Sequence, residues 1–181
     1  MAHLLTGLRL LAVGPAAWAF SRPDLVSAWL LVALVAVAIA TDVLDGVVAR
    51  RIGAASAGGR LFDHTTDFLF VTSGLAGAAQ AGLVPMWLPI LISAAFSQYV
   101  LDSYFWHREK QLRMSFLGRW NGIFYFVPLV LIAVSGLRDL PELAAVAGAI
   151  VGPLAMLLMV TTVASILDRA AAPVRRLARR P

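Results

Sequence analysis

The 181 residues are 60% hydrophobic with a mean hydropathy of +0.83, which excludes an ordinary water-soluble domain. Cysteine is absent, so a disulfide framework and a thiolate metal site are excluded too. The formal charge is +5, but the basic residues flank apolar stretches, so lipid headgroups rather than nucleic acid are the expected anions.

Six apolar stretches follow in chain order, at about residues 4–20, 25–50, 59–80, 86–107, 118–136 and 142–168. Each is near the twenty or so residues that a helix needs to cross a bilayer. Gly14-Pro15 and Gly152-Pro153 should kink the first and last of them. The joining links are short. The expected fold is an all-α membrane protein, a six-transmembrane-helix bundle over residues 1–168 with a polar, metal-lined cavity near its cytoplasmic side. Residues 169–181 form a basic cytoplasmic tail, expected to lie against anionic headgroups.

Orientation follows from the cations. Arg50, Arg51, Arg60, Arg108, Lys110, Arg113, Arg119 and the five arginines from Arg169 onward fall on one side, against Arg22 and Arg138 on the other. By the positive-inside rule both termini face the cytoplasm, and an inner (plasma) membrane is the expected setting.

Four carboxylates interrupt the second and third stretches: Asp42, Asp45, Asp63 and Asp67, all within 26 residues. One aspartate at the centre of a membrane helix costs about 2.5–3.5 kcal/mol. Four together need a cation or a wet cavity. Asp42 and Asp45 are i,i+3 and Asp63 and Asp67 are i,i+4, so each pair shares one helix face. Gly46, Ala49 and Gly59 fall on the same faces, either as close-packing residues or as room for a ligand. An all-carboxylate pocket suits hard divalent ions, Mg²⁺ or Mn²⁺. Two such ions are the usual device for holding a diphosphate. The site would sit about 12 Å along the helix from Arg50, just below the cytoplasmic surface. Arg9, within the first stretch, needs an anionic partner of its own.

The run Asp42-x-x-Asp45-Gly46-x-x-Ala49-Arg50, eight further residues, then Gly59-x-x-x-Asp63-x-x-x-Asp67 resembles the motif of the CDP-alcohol phosphatidyltransferases at all eight fixed positions. The stretch Leu4-Leu5-Thr6-Gly7-Leu8-Arg9 is also similar to that family's opening helix, with His3 near a position where an Asn is common. The resemblance implies that Asp42, Asp45, Asp63 and Asp67 bind two divalent ions and that Asp67 is the general base. It implies a CDP-lipid site made by Thr6, Arg9, Gly46, Ala49, Arg50, Ser56 and Gly59, with Thr6 and Arg9 suited to the diphosphate. The implied reaction moves a phosphatidyl group from CDP-diacylglycerol to an alcohol, releasing CMP without a covalent enzyme intermediate. A homodimer is implied as well.

Polar residues in the fourth and fifth stretches (Asp102, Arg113, Arg119 and Asn121) are the candidates for the acceptor wall. Phe68 stands directly after the last motif aspartate, where relatives using phosphate-bearing acceptors often carry Lys or Arg. Glycerol 3-phosphate is the expected acceptor; inositol phosphate, inositol, serine and phosphatidylglycerol are the alternatives. His64 turns to another face than Asp63 and is expected to pack or line the acceptor side. The competing classes are a carboxylate-based metal-ion or proton transporter and a structural protein. Transport sites favour the bilayer midplane and broken helices, which these carboxylates do not match.

Overall fold

The computed structural model describes residues 2–51, 57–101 and 116–177, and within them the side chains of 6–45, 59, 61–101, 118 and 120–171. Among the described residues the chain is helical with no strand. The helices are α1 (Ala2–Ser21), α2 (Ala28–Arg51), α3 (Ala57–Gln80), α4 (Trp87–Leu101), α5 (Phe116–Phe124), α6 (Phe126–Ser135) and α7 (Pro141–Leu177).

Two features depart from the sequence expectation. The fifth stretch is split at Tyr125, because Pro128 supplies no N–H to the Phe124 carbonyl one turn earlier. Pro15 and Pro153 lie inside the continuous helices α1 and α7. The tail after Asp168, expected as a separate juxtamembrane helix, is continuous with the sixth stretch in α7 as far as Leu177. Ala170, Ala171 and Ala172 are strong helix formers that bridge the two.

Apolar residues lie both inside and outside. Phe20, Phe70, Leu75, Leu88 and Leu129 are fully buried, while Leu11 is 77% and Val160 67% exposed. Helices apolar around their whole circumference are not solvated by water on either face. Two of them, over Ala28–Asp45 and Pro141–Ala171, are long and apolar enough to cross a membrane; Trp87–Leu101 and Trp120–Ser135 are shorter apolar helices.

α1 packs chiefly on α3. At their closest approach a Cβ on Gly77 would lie 2.2 Å from the Ala17 carbonyl oxygen, so only glycine fits there. The contacts Ala17–Gly77 and Arg9–Asp67 advance in the same sense along both helices, so α1 and α3 run parallel. α3 ends in a Schellman turn, with Gly82 at φ +75° and Leu83 N–H donating to the Ala78 carbonyl at 2.9 Å. Gly77→Ala should force α1 off α3. The expected cost is about 1–3 kcal/mol, read as a lower thermal midpoint in detergent.

Candidate active site

The C-terminal part of α2 and the N-terminal parts of α1 and α3 meet at one end of the bundle. α2 brings Thr41, Asp42 and Asp45; α3 brings Asp63 and Asp67; α1 brings Thr6 and Arg9. At the other end the Trp29 indole N–H donates to Asp139 Oδ2 at 3.0 Å, tying the start of α2 to the turn before α7.

Arg9 stands at the centre of the acidic end and is 2% exposed. Its Nη1 lies 3.5 Å from Asp42 Oδ1 and 3.4 Å from Asp63 Oδ1, and pairs most closely with Asp67 Oδ1. Its Nη2 is 3.7 Å from Asp45 Oδ2. Nε donates to Thr41 Oγ1 at 3.4 Å, and the Thr41 hydroxyl in turn donates to the Ala38 carbonyl at 2.9 Å. The Thr6 hydroxyl donates to Asp45 Oδ2 at 3.1 Å. All four motif carboxylates therefore converge on one guanidinium.

The carboxylates differ in access. The Asp42 side chain is 38% exposed, Asp63 26%, Asp67 18% and Asp45 5%. Asp45 thus forms the floor, and a ligand would enter on the Asp42 side. Carboxylate oxygens of Asp42, Asp63 and Asp67 lie within 4.8 Å of one another. Asp45 Oδ1 and Arg9 Nη2 are buried without a hydrogen-bond partner among the described residues. A divalent cation fits these residues. The donors are all hard oxygens, one buried oxygen is unsatisfied, and a single guanidinium leaves three of four negative charges unmatched.

Of the other residues singled out in the sequence, Gly46 and Ala49 lie on α2 one and two turns beyond Asp42, and Gly59 is half-buried at the start of α3. Ser56, Asp102 and Arg113 lie outside the described residues, as do the side chains of Ala49, Arg50 and Arg119. Asn121 is 4% exposed, and its Nδ2 has no partner among the described residues. It sits one turn before Tyr125, whose hydroxyl is 2.7 Å from Thr162 Oγ1. That places Asn121 in a buried polar seam between α5 and α7.

Sequence reasoning passed over Thr41. Its adjacency to Asp42 is the signal, since a hydroxyl beside a membrane carboxylate is available to a buried arginine. It also missed an aromatic wall. Phe68, next to Asp67, stacks face to face on Phe96, with centroids 4.0 Å apart and planes 4° apart. Phe96 meets Tyr99 at 6.0 Å, and the Arg169 guanidinium carbon lies 5.2 Å over the Tyr99 ring.

An all-helical protein with apolar outer faces and, at one end, a carboxylate cluster that could hold a metal ion is the class of protein the described residues define. A family model for CDP-alcohol phosphatidyltransferases matches residues 1–170, and the chain belongs to that family. It is therefore a membrane-associated transferase of phospholipid biosynthesis, of a metal-dependent type. The chain is similar to a cardiolipin synthase (CMP-forming) from Streptomyces coelicolor (strain ATCC BAA-471 / A3(2) / M145), 30% identical over 154 residues, covering 81% of this chain and 71% of that protein. No solved structure gives a significant match.

Proposed function

We propose that the protein transfers a phosphatidyl group from CDP-diacylglycerol to the hydroxyl of phosphatidylglycerol, releasing CMP. The observation that carries the transfer is the convergence of Asp42, Asp45, Asp63 and Asp67 around Arg9. Two divalent ions, Mg²⁺ or Mn²⁺, held by these carboxylates would neutralise the diphosphate.

The chain's own residues do the rest. Asp67 sits where the site is open enough for an acceptor, at 18% side-chain exposure, and takes the proton from the attacking hydroxyl. The alkoxide oxygen bonds to the β-phosphorus, the bond from that phosphorus to the bridging oxygen breaks, and CMP departs with the electron pair. Thr6 and Arg9 hold the N-terminal wall, and Asp45, fixed by Thr6, keeps the floor in place. The motif resemblance assigns Gly46, Ala49 and Gly59 to the cytidine pocket and Arg50 and Ser56 to contacts with the nucleotide.

A lipid acceptor is favoured by the similarity to the Streptomyces protein, which is named a cardiolipin synthase (CMP-forming). Glycerol 3-phosphate is the second reading, favoured by Arg113 and Arg119 in the basic stretch before and within α5.

In this reading α5 and α6 form one crossing, and six crossings place the basic ends and both termini in the cytoplasm of a bacterial inner membrane. The nucleotide then enters from water while acyl chains stay in lipid.

The test is CMP release from CDP-diacylglycerol by the purified protein in mixed micelles, with phosphatidylglycerol, glycerol 3-phosphate and inositol phosphate offered in parallel. Cardiolipin identified by mass is the expected product. Activity should vanish in EDTA and return with excess Mg²⁺ or Mn²⁺. Absence of CMP release with every alcohol and either metal would overturn the reading.

A further inference from the structure

We infer that the groove between α1 and α2 binds one acyl chain of the CDP-linked lipid and so selects donors by chain length. This rests on the transferase reading above. Leu8 and Ala12 on α1 face Ala33 and Val37 on α2 across a groove of about 270 Å³. The α2 lining repeats at three- and four-residue steps from residue 30 to residue 41, a stripe about 16 Å long at 1.5 Å per residue. Ala12 and Ala33 hollow the groove, while Leu8 and Val37, each 55% exposed, form its rims.

The polar lining is confined to Arg9 and Thr41. Both also belong to the acidic end, where Arg9 pairs with the carboxylates and Thr41 accepts from Arg9 Nε. The groove therefore begins at the place where the diphosphate would be held and runs away from it along α2. Its chemistry changes once, from charged to hydrocarbon, in the same order as a phospholipid read from headgroup to tail.

An apolar groove in a bilayer gains nothing from hydrophobic transfer, because bulk lipid is equally apolar. Its occupant is decided by packing and by tethering. A chain covalently joined to a diphosphate held at the groove's head competes intramolecularly with bulk lipid, at a high effective concentration. Its methylenes then gain close contact along two walls instead of one. The second acyl chain has no such walls and remains in the bilayer.

Ala33 is exposed and outside the acidic site, so Ala33→Phe should fold and obstruct the groove. The expected result is a roughly tenfold rise in KM for dipalmitoyl CDP-diacylglycerol, within the range that pocket shape discriminates. kcat should be kept, and dibutyryl CDP-diacylglycerol should be used as by the unsubstituted protein. Val160→Phe, on the lipid face of α7, should change neither donor. A donor carrying a diazirine at one chain end should label peptides spanning residues 8–12 and 30–41, and the labelling should be lost in Ala33→Phe.

Unchanged KM for both donors in Ala33→Phe would overturn the inference and leave the groove to bulk lipid or to a second copy of the chain. An equal loss with both donors would overturn it as well, by making the change structural. Labelling elsewhere with CMP still released would reject the groove alone. A protein that releases no CMP but still labels residues 8–12 and 30–41 would keep the lipid groove and reject the transferase.

Discussion

Asp67→Asn is expected to lower CMP release by about 10²–10⁴-fold, the contribution of a positioned general base. The substitution is nearly isosteric, so helix content and elution volume in detergent should match the unsubstituted protein. The motif resemblance assigns the base to Asp67, the last of the four carboxylates, which the structure places among the partners of Arg9. It also keeps 18% side-chain exposure, whereas Asp45 at 5% is out of an acceptor's reach. Because Asp67 is also a candidate metal ligand, rates are to be measured across a metal titration. A base predicts a low kcat at every metal concentration. Recovery of kcat at high Mg²⁺ would make Asp67 a ligand and move the base elsewhere.

The site was more legible in the sequence than the packing was. Asp42, Asp45, Asp63 and Asp67 stand out because a charge in an apolar helix is costly, and the 3.6-residue repeat then puts each pair on one face. Arg9 announced itself for the same reason, and the structure pairs it with all four carboxylates. The helix-to-helix arrangement gave no comparable signal. A helix such as α2, with Leu31 and Val35 buried and Leu30 and Val37 exposed, is apolar on every side, so periodicity does not say which side faces inward. The parallel pairing of α1 with α3 depends on Gly77 meeting Ala17, a contact between residues sixty apart that no local pattern encodes. The Phe68–Phe96 stack and the Tyr125–Thr162 bond likewise appear only when α3, α4, α5 and α7 are assembled. The interruption between α5 and α6 falls before Pro128, while Pro153 lies within a continuous helix.

The same convergence makes Arg9 the residue whose loss should most damage the fold. Arg9→Met keeps the length of the side chain and removes its charge. Three of the carboxylates then face one another within 4.8 Å, with Asp45 behind them. Each pair of full charges at that distance repels by about 3 kcal/mol at an effective dielectric of about 20. Removing one partner of a buried ionic network costs about 3–5 kcal/mol. In EDTA the variant should therefore unfold well below the unsubstituted protein in a detergent thermal scan. Arg9→Lys should fall between them, because a lysine keeps the charge but loses the fork that reaches Thr41 and four carboxylates together. Divalent metal supplies the missing positive charge, so Mg²⁺ should raise the midpoint of Arg9→Met more than that of the unsubstituted protein. This contrast separates electrostatics from packing: a variant destabilised only by a misfitted side chain would gain no more from metal than its parent. Equal midpoints for Arg9→Met and the parent in EDTA would show that the carboxylates do not depend on the guanidinium, and that their mutual repulsion is relieved by some other group.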